Sequence, residues 1–235
     1  MDNEYDKPNE VLKLLIESWE DFKKYYKKEK VRYSKDECKG HVVCWKEDDI
    51  VLQLSRFFYN KLSTSKLKDE KGIEIHSQIR ISKGNFREGE YDFSENIANL
   101  KGKPRPDFII TKEDDRPSTS QPNGSLWLIG EVKYFREFRS NWIEDDDENK
   151  RDRIQKDIDK LNQFKDKQIC IKTVYLVADD YFHKPENKKE IEWENIQLRL
   201  KEARKKVDYL DLITMCSKIN GCNCTGFNFG EYCKI

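Results

Sequence analysis

A chain of 235 residues with 38% charged and 12% aromatic side chains is long enough for one sizeable core and too aromatic for a disordered polypeptide. Lys and Arg number 45 and so do Asp and Glu, so zero net charge argues against a general polyanion binder and leaves any nucleic-acid contact to local charge distribution. The opening MDNEYDKPNE holds no basic segment followed by an apolar one, and no run approaches membrane-spanning length, so a cytoplasmic protein without a membrane partner is expected.

In chain order, Val11, Leu14, Leu15, Trp19, Phe22 and Tyr26 recur at helical spacing and predict an amphipathic helix over 9–28, followed by a polar connector over 29–40. Ile50, Leu54, Phe57, Phe58 and Leu62 predict a second helix over 45–62, whose first turn carries Glu47, Asp48 and Asp49. Alternation of Ile73, Ile75, Ser77, Ile79 and Ile81 with polar residues predicts a strand over 73–81. The stretch 82–104 reads as an excursion, a lid or a spacer. Two apolar runs, 107–111 and 126–135, read as strands joined by a loop containing Pro117, Pro122 and Gly124. An acidic run over 144–148 reads as a solvated loop.

A third helix over 149–165 turns Ile154, Ile158, Leu161 and Phe164 inward, and 169–178 is apolar enough for a strand inside a sheet. Trp193, Ile196, Leu200, Ala203, Val207, Leu210 and Ile213 predict one long helix over 187–215, lying against the body or a partner. The expected fold is α/β, a mixed central sheet with helices on both faces and extra N- and C-terminal helices. Its parts are an N-terminal helix and connector (1–40), a core (41–185), and a C-terminal helix with a Cys-rich tail (186–235), all in one compact domain.

The two central strands carry charges that apolar strands do not need. Asp107 opens the first, and Glu131 and Lys133 close the second. Alternation puts Glu131 and Lys133 on one face, together with Trp127 and Ile129, and hairpin pairing brings Asp107 to the same point. Buried ionised groups are costly unless paired or metal-bound. Two carboxylates, with the Val132 carbonyl as a further oxygen, suit a hard ion such as Mg2+, and Lys133 beside it can orient or deprotonate a water or steady a phosphate oxygen. The alternative for the same residues is a buried ion-pair cluster without metal.

Pro106-Asp107, followed after an apolar strand and a loop by Glu131-Val132-Lys133, resembles the signature of the PD-(D/E)xK nuclease superfamily, and the predicted element order over about 45–178 is similar to that family's core. The resemblance implies a restriction-endonuclease-like fold and a Mg2+-dependent nuclease, with Mn2+ able to substitute. It makes Asp107 and Glu131 metal ligands and Lys133 the catalytic lysine. It also gives Glu47 a place in the site, against the alternative that Glu47 complements the helix dipole. In the family the helix after the third strand lines the substrate groove. Here Arg153, Lys156 and Lys160 sit on one edge of that helix, either tracking phosphates or forming a solvated, salt-bridged surface with Asp152, Asp157 and Asp159.

Seven cysteines, an odd number with no export signal, read as reduced thiols or metal ligands. Cys216, Cys222, Cys224 and Cys233 form a candidate structural Zn2+ set, although their spacing is not the paired C-x2-C arrangement. His76, on the polar side of its strand, reads as a surface histidine. The expected activity is hydrolysis of phosphodiesters, with DNA preferred over RNA and endonuclease action of a restriction, repair or defence type. The alternative is a catalytically inactive nuclease-like domain that binds nucleic acid or a protein. The last third is a candidate dimerisation module for a homodimer.

Overall fold

The computed structural model describes residues 7–35, 47–70, 73–78, 105–112, 126–135, 147–167, 169–179 and 190–214. The elements in order are α1 (Lys7–Lys35), α2 (Glu47–Leu62), β1 (Ile73–Ser77), β2 (Phe108–Lys112), β3 (Leu126–Phe135), α3 (Asp147–Asp166), β4 (Cys170–Asp179), α4 (Glu190–Arg204) and β5 (Tyr209–Thr214). The excursion at 82–104, the loop at 113–125, His41, His183 and the cysteines at 38, 44, 216, 222, 224 and 233 lie outside the described residues.

The sheet runs β1-β2-β3-β4-β5. Its first three strands are antiparallel neighbours, and β3, β4 and β5 are parallel. Parallel neighbours need a crossover, and α3 and α4 supply one each. The fold is therefore α/β with a mixed five-stranded sheet. Val11, Leu15, Trp19, Phe22 and Tyr26 of α1 and Ile50, Leu54 and Phe58 of α2 pack with Phe108, Ile110, Leu128, Val132, Val174, Leu176 and Ile213 on one face. Ile154, Ile158, Leu161 and Phe164 of α3 and Ile196, Leu200 and Ala203 of α4 pack with Ile109, Ile129, Tyr175, Val177 and Leu212 on the other. β4, covered on both faces, has no polar alternation to display.

Several expectations change. The helix predicted over 9–28 runs on to Lys35, so most of the expected connector is helical, and α3 starts at Asp147, inside the expected acidic loop. The strand predicted over 73–81 is described only as Ile73–Ser77. The single helix predicted over 187–215 is instead α4, a turn and β5. Leu210 and Ile213 are three apart, which mimics helix, yet they point to opposite faces of the sheet. Asp208 makes the turn: its carboxylate accepts from Thr173 N at 2.9 Å and from Lys165 Nζ at 2.9 Å, tying the end of α4 to the start of β4. The apolar stripe of α4 is thus used on its own sheet.

Trp127 does not share a face with Ile129. Ile110 pairs with Leu128 but Thr111 pairs with Leu126, so Trp127 is an extra residue in β3. Such a bulge breaks the alternation locally, and Trp127 and Leu128 both join the α1/α2 side. Past the bulge the period resumes, carrying Ile129, Glu131 and Lys133 to the α3 side.

Candidate active site

β3 outruns β2. Their last antiparallel pair is Phe108 with Gly130, while β4 stays beside β3 as far as Phe135 with Asp179. From Glu131 onward β3 therefore has β4 on one side and, among the described residues, no strand on the other. Backbone N–H groups on that open side need acceptors. Asp107 Oδ2 accepts from Val132 N at 2.8 Å, and Glu47 Oε1 accepts from Tyr134 N at 3.2 Å. Two carboxylates thus replace the missing strand. A residue in a strand turns its C=O to the same side as its N–H, so the Val132 carbonyl faces this edge as well.

The entry to β2 is also fixed. Gln78 holds φ 55°, a left-handed conformation that costs a non-glycine residue about 1 kcal/mol. Its N–H donates to the Asp107 carbonyl at 2.9 Å, its carbonyl accepts from Arg105 Nε at 2.6 Å, and its amide donates to Asp48 Oδ1 at 2.5 Å. Asp48 is the neighbour of Glu47 on α2, so one residue links the Asp107 backbone to the first turn of α2, which carries Glu47.

On the α3 side, Glu131 and Lys133 meet a second pair of charges. Lys133 Nζ lies 3.1 Å from Glu47 Oε1 and 3.7 Å from Asp157 Oδ2. Lys160 Nζ lies 2.7 Å from Glu131 Oε1 and donates to the Arg105 carbonyl at 3.3 Å. Tyr175, opposite Glu131 in register and fully buried, donates its hydroxyl to Asp157 Oδ2 at 3.4 Å.

Burial dominates the electrostatics. It pushes Asp107 up to about 6, helped by the neighbouring Glu47 charge and opposed by the Val132 N–H. Burial and the Asp107 charge hold Glu131 well above the ordinary carboxylate range, and burial also raises Asp157. For Lys133 burial alone would lower the value, but Asp157, Glu47 and Asp107 together outweigh it and the net shift is upward. Lys133 is therefore a cation here. It is suited to orienting a water or steadying a phosphate oxygen, not to deprotonating a water.

The raised Asp107 sets a pH dependence. The folded state binds this proton more tightly than the unfolded chain, so the resulting relative stabilisation is fully present below the ordinary 3.8 and is lost as pH rises through about 6. In chelator-treated protein, the urea midpoint of wild type relative to Asp107→Asn should fall across that window. A difference that stays flat or rises would contradict the burial of Asp107.

The donor set fits a hard divalent ion. Four carboxylates (Glu47, Asp107, Glu131 and Asp157) face two ammonium groups (Lys133 and Lys160), leaving two negative charges in excess when all are ionised, the charge of one such ion. Lys160 Nζ lies 2.7 Å from Glu131 Oε1, and no other donor reaches that buried oxygen among the described residues. Among the described residues no three His, Cys, Asp or Glu side chains form a metal-holding group. A Mg2+ ion here would instead be held by Asp107, Glu131 and the Val132 carbonyl, with waters completing its shell.

The expected residues are distributed as follows. Asp107, Glu131, Lys133 and Glu47 come together, and Glu47 accepts a hydrogen bond and an ion pair as well as standing in the first turn of α2. Arg153, Lys156 and Lys160 do not form one outward edge: Lys156 is exposed, Arg153 is half-buried, and Lys160 turns inward to Glu131. Asp157, read as part of a solvated surface, belongs to the site, with a side chain 17% exposed. Its signal was present, since Asp157 sits three residues after Ile154 and four before Leu161, on the inward arc of α3. His76 is engaged by Thr111 Oγ1 and Glu74 Oε2, each at 3.3 Å. Among the described residues no helix is long and apolar enough to cross a membrane. The described cysteine, Cys170, is a buried free thiol, its ionisation pushed up by burial. No family model, curated protein or solved structure matches the chain.

Proposed function

We propose that the chain is a Mg2+-dependent nuclease with a restriction-endonuclease-like core, hydrolysing phosphodiester bonds in DNA by internal cutting. What carries the reading is one observation. The buried carboxylate of Glu131, the half-buried one of Asp107 and the ammonium of Lys133 converge where β3, among the described residues, loses its neighbour strand, so charged groups meet at the end of an otherwise apolar strand. The order of one helix, three antiparallel strands, a crossover helix and a parallel strand is similar to the core of the PD-(D/E)xK superfamily.

In this reading Asp107 and Glu131 hold the cation and the Val132 carbonyl completes the protein's share of its shell. Mg2+ held there would supply Lewis-acid polarisation of a phosphate and a more acidic water. Lys133, held by Glu47 and Asp157, would orient an attacking water or steady charge growing on a phosphate oxygen. Asp157 positions Lys133 and is itself fixed by the Tyr175 hydroxyl. Lys156, exposed on α3, would meet the phosphate backbone in this reading. Mn2+ serves in place of Mg2+.

A second reading, a nuclease-like domain that binds without hydrolysis, is favoured by the ion pairs already present on Glu131 and Lys133. A panel of supercoiled, linear and single-stranded DNA and RNA, with Mg2+ or with chelator, separates the two. Cleavage of DNA only with the metal supports the nuclease. Tight, salt-sensitive binding with no cleavage of any substrate selects the binding domain.

A further inference from the structure

Lys160 occupies an unusual position for a helix lysine. Its ammonium reaches from α3 to within 2.7 Å of Glu131 Oε1, with Asp157 Oδ1 at 4.0 Å and the Arg105 carbonyl accepting from it at 3.3 Å. Glu131 is the most deeply buried partner, with a side chain 3% exposed, and the oxygen that Lys160 approaches has no other donor among the described residues. A monovalent cation thus sits against an oxygen whose lone pairs are otherwise uncommitted. An ammonium and a divalent ion cannot both remain in contact with one carboxylate oxygen without strong mutual repulsion.

We propose that Lys160 is an internal counter-ion that holds the divalent-cation position on Glu131, so that binding a hard divalent metal and releasing Lys160 from Glu131 are a single exchange. The inference rests on the reading of Asp107 and Glu131 as ligands for such an ion. Its mechanical basis is local. The Lys160 stem is four carbons long and its side chain is 23% exposed, so the ammonium can swing away while Ile158 and Leu161 keep α3 seated on the sheet. Lys133 is differently placed, 16% exposed and held by Glu47 and Asp157, with no ion pair to Glu131. One lysine stays and the other yields. The released ammonium is then on the same helix as the exposed Lys156.

The test is a calorimetric titration of Mn2+ into wild type, Lys160→Met and Lys160→Gln, the glutamine keeping a donor for the Arg105 carbonyl. Removing the competing cation should tighten Mn2+ binding about tenfold in both variants. Equal or weaker binding in the variants, beside measurable binding by wild type, overturns the exchange and leaves the metal site standing. Absence of Mn2+ binding in all three folded proteins overturns both. Should the variants fail to fold, wild type alone decides: the rate of acetylation of Lys160, followed by mass spectrometry against the exposed Lys156, should rise when Mn2+ is added. An unchanged ratio overturns the proposal.

Discussion

Lys133→Met is expected to slow metal-dependent cleavage by at least about 10²-fold at saturating Mg2+ while leaving metal binding in place. Lys133 is the charge the site is least able to replace. Its ammonium lies at the end of β3 between Glu47 and Asp157, and those carboxylates, with Asp107, keep it protonated despite its burial. Methionine preserves the stem that packs there and removes only the cation. The loss therefore falls on the step in which charge grows on the phosphate, and single-turnover cleavage beside a metal titration separates it from a loss of metal. A variant that cuts at the wild-type rate would remove Lys133 from the mechanism. Lys160 does not compensate, because its ammonium is directed to Glu131 rather than to the carboxylates that hold Lys133.

Gly130→Ala should cost about 3 kcal/mol of stability, read as a lower urea midpoint, and should reduce activity as well. Gly130 pairs with Phe108 across the last rung of the β2–β3 ladder, and the Phe108 ring is fully buried directly over it. A Cβ added to Gly130 would lie against Phe108 Cζ, closer than any real contact. Relief requires moving Phe108, and Phe108 follows Asp107 while Gly130 precedes Glu131. A methyl group at this pair therefore pushes apart the two strand ends that bring the carboxylates together. The double variant Gly130→Ala/Phe108→Leu should recover part of the stability. A Gly130→Ala protein as stable as wild type would show that the ring does not fill that space.

These effects bear on how far the molecule could be read from its sequence. The period-2 pattern of Ile129, Glu131 and Lys133 was legible because a strand's alternation is local, and β3 runs over the residues that its apolar content marks out. Asp107 was legible for the same reason, as an acid at the mouth of an apolar run. Trp127 was not, since a bulge is decided by register with β2 and leaves no mark on β3 alone. β5 was hidden by coincidence: Val207, Leu210 and Ile213 satisfy helical spacing, and only pairing with β4 makes Leu210 and Ile213 strand. Asp157 and Lys160 were masked by their neighbours, as charges on a charged helix read as solvated surface until the helix is docked. The helical extension to Lys35 had a signal in the lack of Gly or Pro over 29–35, which polar composition outweighed. Gln78 has no sequence signal for its left-handed backbone, and its three hydrogen bonds account for it only once the fold is known.

In the proposed reading, the raised Asp107 would link stability and activity in opposite senses. Ionisation through about pH 6 removes stability from the metal-free protein while creating the anion that a cation requires. Added metal should therefore stabilise the protein more above that pH than below it.

The central claim is that Asp107 and Glu131 serve a metal that cuts phosphodiesters, and the most direct measurement is cleavage of supercoiled plasmid by wild type and by Asp107→Ala at equal concentration. Wild type should nick or linearise the plasmid with Mg2+ and not with chelator, and folded Asp107→Ala should leave it intact. Cleavage that survives in Asp107→Ala, or that proceeds in chelator, would contradict the account.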